Sequence, residues 1–268
     1  MDQIQHKYVT VQGLKLHVAD IGTGPNVVPK PDSGPSRPTV ADTDSPTRLP
    51  QPEKTSSHDL INDLLGILDA LAIPKVFLIG KDFGARPAYL FALLHPEKVL
   101  GVVTMGVPYR PPQTRSPYDK SLPEGFYINR WREPGRAEAD FGRLDAKTVV
   151  RNVYILFSRS ELPIAAENQE IMDMVDSSTP LPPWFTEEDL EAYGKLYEKS
   201  GFQTALQMPY RASTDDLGTS ESIVKVPVRS FVPDLGDCIS AGKEHIFVQE
   251  QSPELVNELI LTFLRKYV

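Results

Sequence analysis

Two short apolar runs on either side of a helical stretch constrain the fold of this chain more than any other feature. The runs are "KVFLIG" (75–80) and "VLGVVTMGVP" (99–108), and each is typical of a strand buried on both faces. The stretch between them indicates a helix, with Pro87 tolerated in its first turn. Such a βαβ unit has parallel strands and a right-handed crossover. The sequence therefore predicts an α/β fold.

Further elements are predicted on both sides of this unit. Alternating apolar residues around Gln12 and Gly13 predict a β-hairpin, and leucines at helical spacing predict a helix that starts at Ser56. Residues 25–52 hold eight prolines, so we expect a loop or disorder there, with no strand. Near the C-terminus, "IVKVPVRSFV" indicates a strand, and the last 16 or so residues a helix with Ser252 as N-cap.

The middle of the chain differs in sequence pattern from the parts on either side, because it consists of charged and aromatic helical segments. A capping box of Thr186 and Asp189 marks the start of one of these helices. We therefore expect a helical lid inserted into an α/β core. The expected division is residues 1–110 for the first part of the core (25–55 irregular), 111–222 for the lid and 223–268 for the last part of the core.

Composition limits the partners of the chain. The formal charge is −8 and the pI about 5.2, so the chain lacks the basic surface that nucleic acids or anionic membranes require. No apolar run approaches the ~18 residues of a membrane span, and Cys238 is the only cysteine. The five histidines lack metal-ligand spacing. We expect a cytoplasmic protein without metal or cofactor; a homodimer is one option for its oligomeric state.

The turn between the first predicted strand and its helix, "GKDFGA" (80–85), carries the chemistry. In a strand-to-helix turn that presents a nucleophile, the residues two positions to either side must be small, as Gly80 and Gly84 are. The residue presented is Asp82, which is ionised at neutral pH because a carboxyl has a pKa near ~3.9. Attack by a carboxylate on an alkyl carbon gives an ester that water can hydrolyse, whereas a serine would give a stable ether. The turn thus points to epoxides or carbon–halogen bonds.

Long segments around this turn resemble the epoxide hydrolase branch of the α/β-hydrolase family, particularly its plant soluble members. The segments include "LPEGFYINRWREPGRAEADF" (122–141), "EKSGFQTALQMPYRA" (198–212) and "HIFVQEQSPELVNELILTFL" (245–264). The resemblance implies an α/β-hydrolase fold with a mostly parallel sheet and an inserted helical lid. It also implies that the chain adds water to a small hydrophobic epoxide to give a vicinal diol, without a cofactor.

The resemblance implies a role for five residues of this sequence. Asp82 matches the nucleophile that attacks the epoxide carbon, and the backbone N–H of Phe83 matches one donor of the oxyanion hole. Tyr127 and Tyr210 match the two lid tyrosines that bind the epoxide oxygen and give it a proton. His245 matches the base that activates water against the ester.

Two stretches depart from the family pattern. After "GPNVV" the chain lacks the two strands and the oxyanion loop that the family has there, and no residue matches the acid that orients the histidine. Asp234 and Asp237 are nearby in sequence, but neither follows the strand-turn pattern. "GPSRPTVADTDSP" can be encoded so that a shifted frame gives "AIAPDCRGYGLS", which fits a missing strand. Our hypothesis is that alternative splicing or an erroneous gene model made this an internally truncated form.

Two other functions remain open at the level of sequence. A truncated, non-catalytic isoform would at most bind hydrophobic ligands or partners, and the deleted strands predict marginal stability or aggregation. A haloalkane dehalogenase would use the same nucleophile, but its pattern favours tryptophan after that aspartate, where this chain has Phe83. The chain has no "GxSxG", so a serine esterase is not supported.

Overall fold

A computed structural model gives the fold of most of the chain. It describes residues 5–11, 13–20, 27–29, 57–107, 122–159, 161–203, 205–206, 210, 226–231 and 247–267. The strands are β1 Gln5–Val11, β2 Leu14–Asp20, β3 Val27–Pro29, β4 Val76–Lys81, β5 Val99–Met105 and β6 Val228–Phe231. The helices are α1 Ser57–Ala70, α2 Ala85–Leu94, α3 Tyr127–Arg132, α4 Arg136–Gly142, α5 Ala146–Phe157, α6 Glu187–Ser200, α7 Val248–Gln251 and α8 Pro253–Tyr267.

The central sheet has the strand order β3-β4-β5-β6, and all of its neighbouring strands run parallel. β4, α2 and β5 form the predicted βαβ unit. The predicted hairpin is a separate two-stranded antiparallel sheet of β1 and β2, and it packs on α1. The structure thus confirms the predicted fold class.

Two hydrophobic clusters cover the two faces of the central sheet. On one face, Leu64 and Leu68 of α1 and Phe91 of α2 pack on Val76 and Leu78 of β4. On the other face, Phe77 and Ile79 of β4 pack against α8. β4 is buried on both faces, which explains its continuous apolar sequence.

The prediction that residues 25–55 are irregular is wrong at one place. Val27–Pro29 form β3, which pairs in parallel with Phe77, Leu78 and Ile79 of β4. Two β-branched residues suit a strand, and β3 is the outermost strand in the part of the sheet that the structure describes, a position at which a proline is tolerated. Residues 30–55 lie outside the described residues.

The helices α3 to α6 form an insertion between the neighbouring strands β5 and β6. They enclose a third hydrophobic cluster that includes Trp131, Tyr154 and Leu190, together with Phe247 from the chain just before α7. The predicted capping box at the start of α6 is present: Thr186 and Asp189 each accept a hydrogen bond from the other's backbone N–H. This helical insertion is the segment in which the sequence predicts a lid.

Candidate active site

Asp82 lies at the point where β4 turns into α2. Its φ is +48°, an uncommon value for a residue other than glycine, and its side chain is buried, with 8% of the residue exposed. The turn is a single 3-10 turn over Asp82–Gly84, and the backbone N–H of Ala85 donates to the carbonyl of Asp82. Backbone strain of this kind is concentrated at functional sites, where packing around it holds the residue in place.

Gly80 permits this turn because β4 and α2 approach closely there. A Cβ on Gly80 would lie 2.5 Å from the carbonyl oxygen of Gly84 and 2.7 Å from Cα of Ala85. Both contacts are with backbone atoms, which cannot rotate away. The requirement for a small residue at this position, which the sequence pattern predicts, therefore has a direct steric cause.

Two phenols lie near the carboxylate of Asp82. Tyr127, the first residue of α3, is 3% exposed, and its ring centroid is 6.4 Å from that of Tyr210. The Tyr210 ring in turn makes an edge contact with Phe83, the residue after Asp82, at 5.2 Å. The structure thus brings four of the five predicted site residues together.

Burial controls the protonation of both phenols. It raises the pKa of Tyr127 well above the ordinary value of 10.0, and the charges of Tyr210 and Asp82 raise the pKa further. Burial also raises the pKa of Tyr210 well above 10.0, and the charge of Asp82 adds to the effect. Both phenols therefore keep their protons at neutral pH and can donate them.

Aromatic side chains that the sequence pattern did not single out surround the phenols. Trp131 makes edge contacts with Tyr127 at 5.3 Å and with Tyr210 at 5.4 Å, and Phe157 contacts Tyr127 at 4.8 Å. Trp131 follows Tyr127 by four residues, so helical spacing places both on one face of α3. That spacing was the available signal for Trp131, whereas nothing near Phe157 in the sequence connects it with Tyr127.

Several other residues considered for the site from the sequence lie outside the part of the chain that the structure describes. His245, Asp234 and Asp237 lie outside the described residues, as does the segment after β3. Within the described ranges, no group of three His, Cys, Asp or Glu side chains could hold a metal ion. None of the helices in those ranges is long and apolar enough to cross a membrane.

Curated relatives and solved structures give a consistent picture. Over 323 aligned positions, the chain is 30% identical to Epoxide hydrolase 1 and 29% identical to Epoxide hydrolase 2 of Siraitia grosvenorii, with both chains covered completely in each case. It resembles a crystal structure of an epoxide hydrolase from Vigna radiata with a TM-score of 0.78, at 24% identity and 98% coverage of both chains. The TM-score to potato (Solanum tuberosum) epoxide hydrolase I is 0.76, at 23% identity, with 99% of this chain and all of that chain covered.

The length of these alignments is relevant to the two stretches of this chain that depart from the family pattern. An alignment of 323 positions exceeds the 268 residues of this chain, so the relatives contain segments opposite which this chain has no residue. A family described as alpha/beta hydrolase fold also matches residues 33–261, which is most of the chain. The chain therefore belongs to the α/β-hydrolase fold family and, within it, to the epoxide hydrolases.

Proposed function

We propose that this chain converts a small hydrophobic epoxide to a vicinal diol through an ester on Asp82. A carboxylate oxygen of Asp82 attacks an epoxide carbon, the carbon–oxygen bond of the ring breaks, and the released oxygen takes a proton from Tyr127 or Tyr210. Water activated by His245 then attacks the ester carbonyl; one of its protons passes through His245 to the leaving alkoxide and the other returns to the phenolate, which frees the diol and restores the carboxylate and the phenol. The backbone N–H of Phe83 stabilises the oxyanion formed in that second step.

The observation that carries this proposal is a buried carboxylate at a strained turn beside two phenols, Tyr127 buried and Tyr210 partly buried, whose pKa values are both raised. Epoxide opening needs an anionic nucleophile and a neutral acid at the same site. The environment supplies both, because the same burial that raises the pKa of the phenols keeps their protons in place until an alkoxide forms. The relatives named epoxide hydrolases support this reaction.

The aromatic surroundings favour an apolar substrate. The rings of Phe83 and Phe157 each contact one of the two phenols, and the ring of Trp131 contacts both. Such rings bury an apolar group well and offer their faces to an aryl substituent. An aryl-substituted epoxide such as styrene oxide is therefore a suitable first substrate.

The stretches that depart from the family pattern should slow the second chemical step, hydrolysis of the ester, more than the first step, its formation. Ester formation needs neither His245 nor its orienting acid, whereas hydrolysis of the ester needs both. Loss of one oxyanion donor slows catalysis by about 10² to 10³, and loss of the orienting acid of a triad by up to about 10⁴. We therefore expect the alkyl-enzyme ester to form and persist.

Intact-mass spectrometry after incubation with styrene oxide tests the proposal. We expect a mass increase of one styrene oxide per chain, mapped to Asp82 by peptide analysis, with diol released slowly. The variant Asp82→Asn keeps the size of the side chain and should give neither adduct nor diol. An adduct that also forms on Asp82→Asn, or no adduct and no diol with the unchanged chain, would refute the proposal.

The similarity to curated and solved epoxide hydrolases does not favour the alternative of a non-catalytic isoform. Phe83 and the two phenols favour epoxides over carbon–halogen bonds, because a halide leaves without a proton. Three features stay predictions: the action of the helical insertion as a lid, the cytoplasmic location and the internal truncation. The same holds for the homodimer, which light scattering would test.

A further inference from the structure

Lys81, the residue before Asp82, lies in an unusual environment for a lysine. Only 7% of the residue is exposed, and lysines are almost never buried to this degree without an interaction that holds the charge. Side chains alternate along β4, and Phe77 and Ile79 face α8. Lys81 therefore points to the same face, toward the chain that leads into α7 and α8.

A stack of three aromatic rings lies at this face. The ammonium of Lys81 is 5.1 Å from the ring centroid of Phe247. Phe247 is stacked on Tyr154 at 4.4 Å with 9° between the rings, and Tyr154 is stacked on Phe185 at 3.8 Å with 10°. The Tyr154 hydroxyl also donates to Glu250 of α7 at 3.4 Å. Lys81 thus contacts one end of a stack whose other members belong to the helical insertion.

This stack leads back to the active site through α5. Tyr154 and Phe157 both belong to α5, and Phe157 makes the 4.8 Å edge contact with Tyr127. A helix is a rigid element, so a contact that fixes Tyr154 also fixes Phe157 and the ring packed on it. Lys81 and Asp82 are adjacent in the chain, and the nucleophile and the phenol are therefore connected through a short series of contacts.

We propose that Lys81 is a positioning residue, which holds α5 and Tyr127 at the correct distance from Asp82 through its cation–π contact with Phe247. The inference rests on the proposed function, because the distance matters only if Tyr127 gives its proton to an epoxide opened by Asp82. Proton donation requires hydrogen-bond geometry, and a displacement of about 1 Å can slow a reaction by as much as ~10².

The decisive variant is Lys81→Met, which keeps the length of the side chain and removes its charge. Formation of the Asp82 ester is followed by rapid-quench intact mass with two reagents, styrene oxide and phenacyl bromide. Bromide leaves without a proton, so its displacement does not depend on Tyr127. We expect ester formation to slow about 10- to 30-fold with the epoxide, the size of a desolvated cation–π contact converted to a rate, and less than about threefold with the bromide.

Two variants serve as controls. Lys81→Arg retains a cation that binds aromatic faces and should restore most of the epoxide rate. Lys75→Met makes the same change at an exposed lysine just before β4 and should leave both rates unchanged. Equal slowing with both reagents would show that Lys81 acts on Asp82 itself, and no slowing would show that it has no role; either result overturns the inference.

Hydrogen exchange provides a readout that does not depend on activity. In Lys81→Met we expect faster exchange at the amides of α5 and of residues 247–251, with no change in Lys75→Met. Unchanged exchange there overturns the inference even if the epoxide rate falls. If the unchanged chain forms no epoxide adduct, the proposed function fails, and faster exchange in Lys81→Met would show that the contact holds α5 without serving this reaction.

A second variant covers the case in which Lys81→Met does not fold. Phe247→Leu removes the aromatic face and keeps Lys81 and an apolar side chain. We expect it to slow epoxide attack relative to bromide displacement in the same direction as Lys81→Met. Equal effects on the two reagents in Phe247→Leu would contradict the role assigned to the cation–π contact.

Discussion

The residue Asp82 combines a left-handed backbone with a buried charge, and each of these lowers stability on its own. A strained φ costs on the order of 1–3 kcal/mol, and burial of a carboxylate adds to that cost. The close packing of β4 on α2 around Gly80 is what keeps the turn in this form.

Substitution of Gly80 should therefore be severe. Gly80→Ala places a methyl group 2.5 Å from the carbonyl oxygen of Gly84, and we expect a loss of about 3 kcal/mol in the free energy of unfolding, measured in urea. Gly142→Ala is the matched control, because a Cβ there would meet nothing within 4 Å. That variant should stay within about 1 kcal/mol of the unchanged chain. Equal losses in the two variants would contradict the steric explanation.

The buried phenols predict a loss of stability at alkaline pH. Folding raises the pKa of Tyr127 and of Tyr210 above 10.0, so above pH 10 the unfolded chain releases protons that the folded chain retains. The free energy of unfolding should therefore be unaffected by these groups well below pH 10 and fall as the pH rises through 10, with a slope that approaches about 1.4 kcal/mol per pH unit for each phenol.

Tyrosine substitution isolates this effect. Tyr127→Phe should remove about 1 kcal/mol from the loss of stability between pH 10 and 11, as measured by urea unfolding at several pH values, because the phenol of the unfolded chain is only half ionised at pH 10. Tyr8→Phe is the control, since Tyr8 is 48% exposed. The explanation fails if the slope of Tyr127→Phe equals that of the unchanged chain.

At the scale of elements, the helical insertion has its own local signals. The capping box of α6 joins Thr186 and Asp189 through reciprocal hydrogen bonds to backbone N–H groups, at 3.1 Å in both directions. Asp145 caps α5 in a similar way, by accepting from the N–H of Thr148 at 2.9 Å. These caps satisfy N–H groups that a helix start would otherwise leave unpaired.

Removal of the α6 cap gives a prediction at this scale. Thr186→Ala should lower the free energy of unfolding by about 1 kcal/mol, because the hydroxyl no longer accepts from the N–H of Asp189. Thr186→Ser keeps the hydroxyl and should lower the free energy of unfolding by no more than about 0.3 kcal/mol. Thermal unfolding followed by circular dichroism measures both, and equal loss in the two variants would argue against the cap.

The elements that sequence predicts well are those with local causes. The hairpin, the βαβ unit and the α6 cap all follow from residues that are neighbours in the chain, and the structure confirms them. The sequence does not predict β3, because three residues among prolines carry no pattern of their own and the strand depends on its pairing with β4. The contact of Lys81 with Phe247 joins two distant parts of the sequence, so no spacing rule could find it.

At the scale of the whole molecule, the outer strands of the described part of the central sheet are its shortest. Within the described residues, β3 has three residues and β6 has four, whereas β4 and β5 have six and seven. Short edge strands make few hydrogen bonds, and unpaired edges favour association with other chains. The marginal stability predicted from the sequence stays a prediction.

Hydrogen exchange should reveal a gradient across the sheet. We expect the slowest exchange in β4 and β5, which have neighbours on both sides, and faster exchange in β3 and β6, because edge strands open locally at lower free energy. Mass spectrometry of peptic fragments would measure it, with α2 as the internal reference for the buried core. Equal protection of β3 and β4 would mean that additional pairing covers the β3 edge.

The position of the helical insertion between β5 and β6 affects how the chain is made. The hydroxyls of Thr104 and Ser230 meet at 2.8 Å across these two strands, although 126 positions separate them in the sequence. A ribosome that adds about 5–20 residues per second needs roughly 6 to 25 seconds to synthesise that interval. Throughout that time β5 lacks its partner β6, and the unpaired edge of β5 is exposed to chaperones and to other nascent chains.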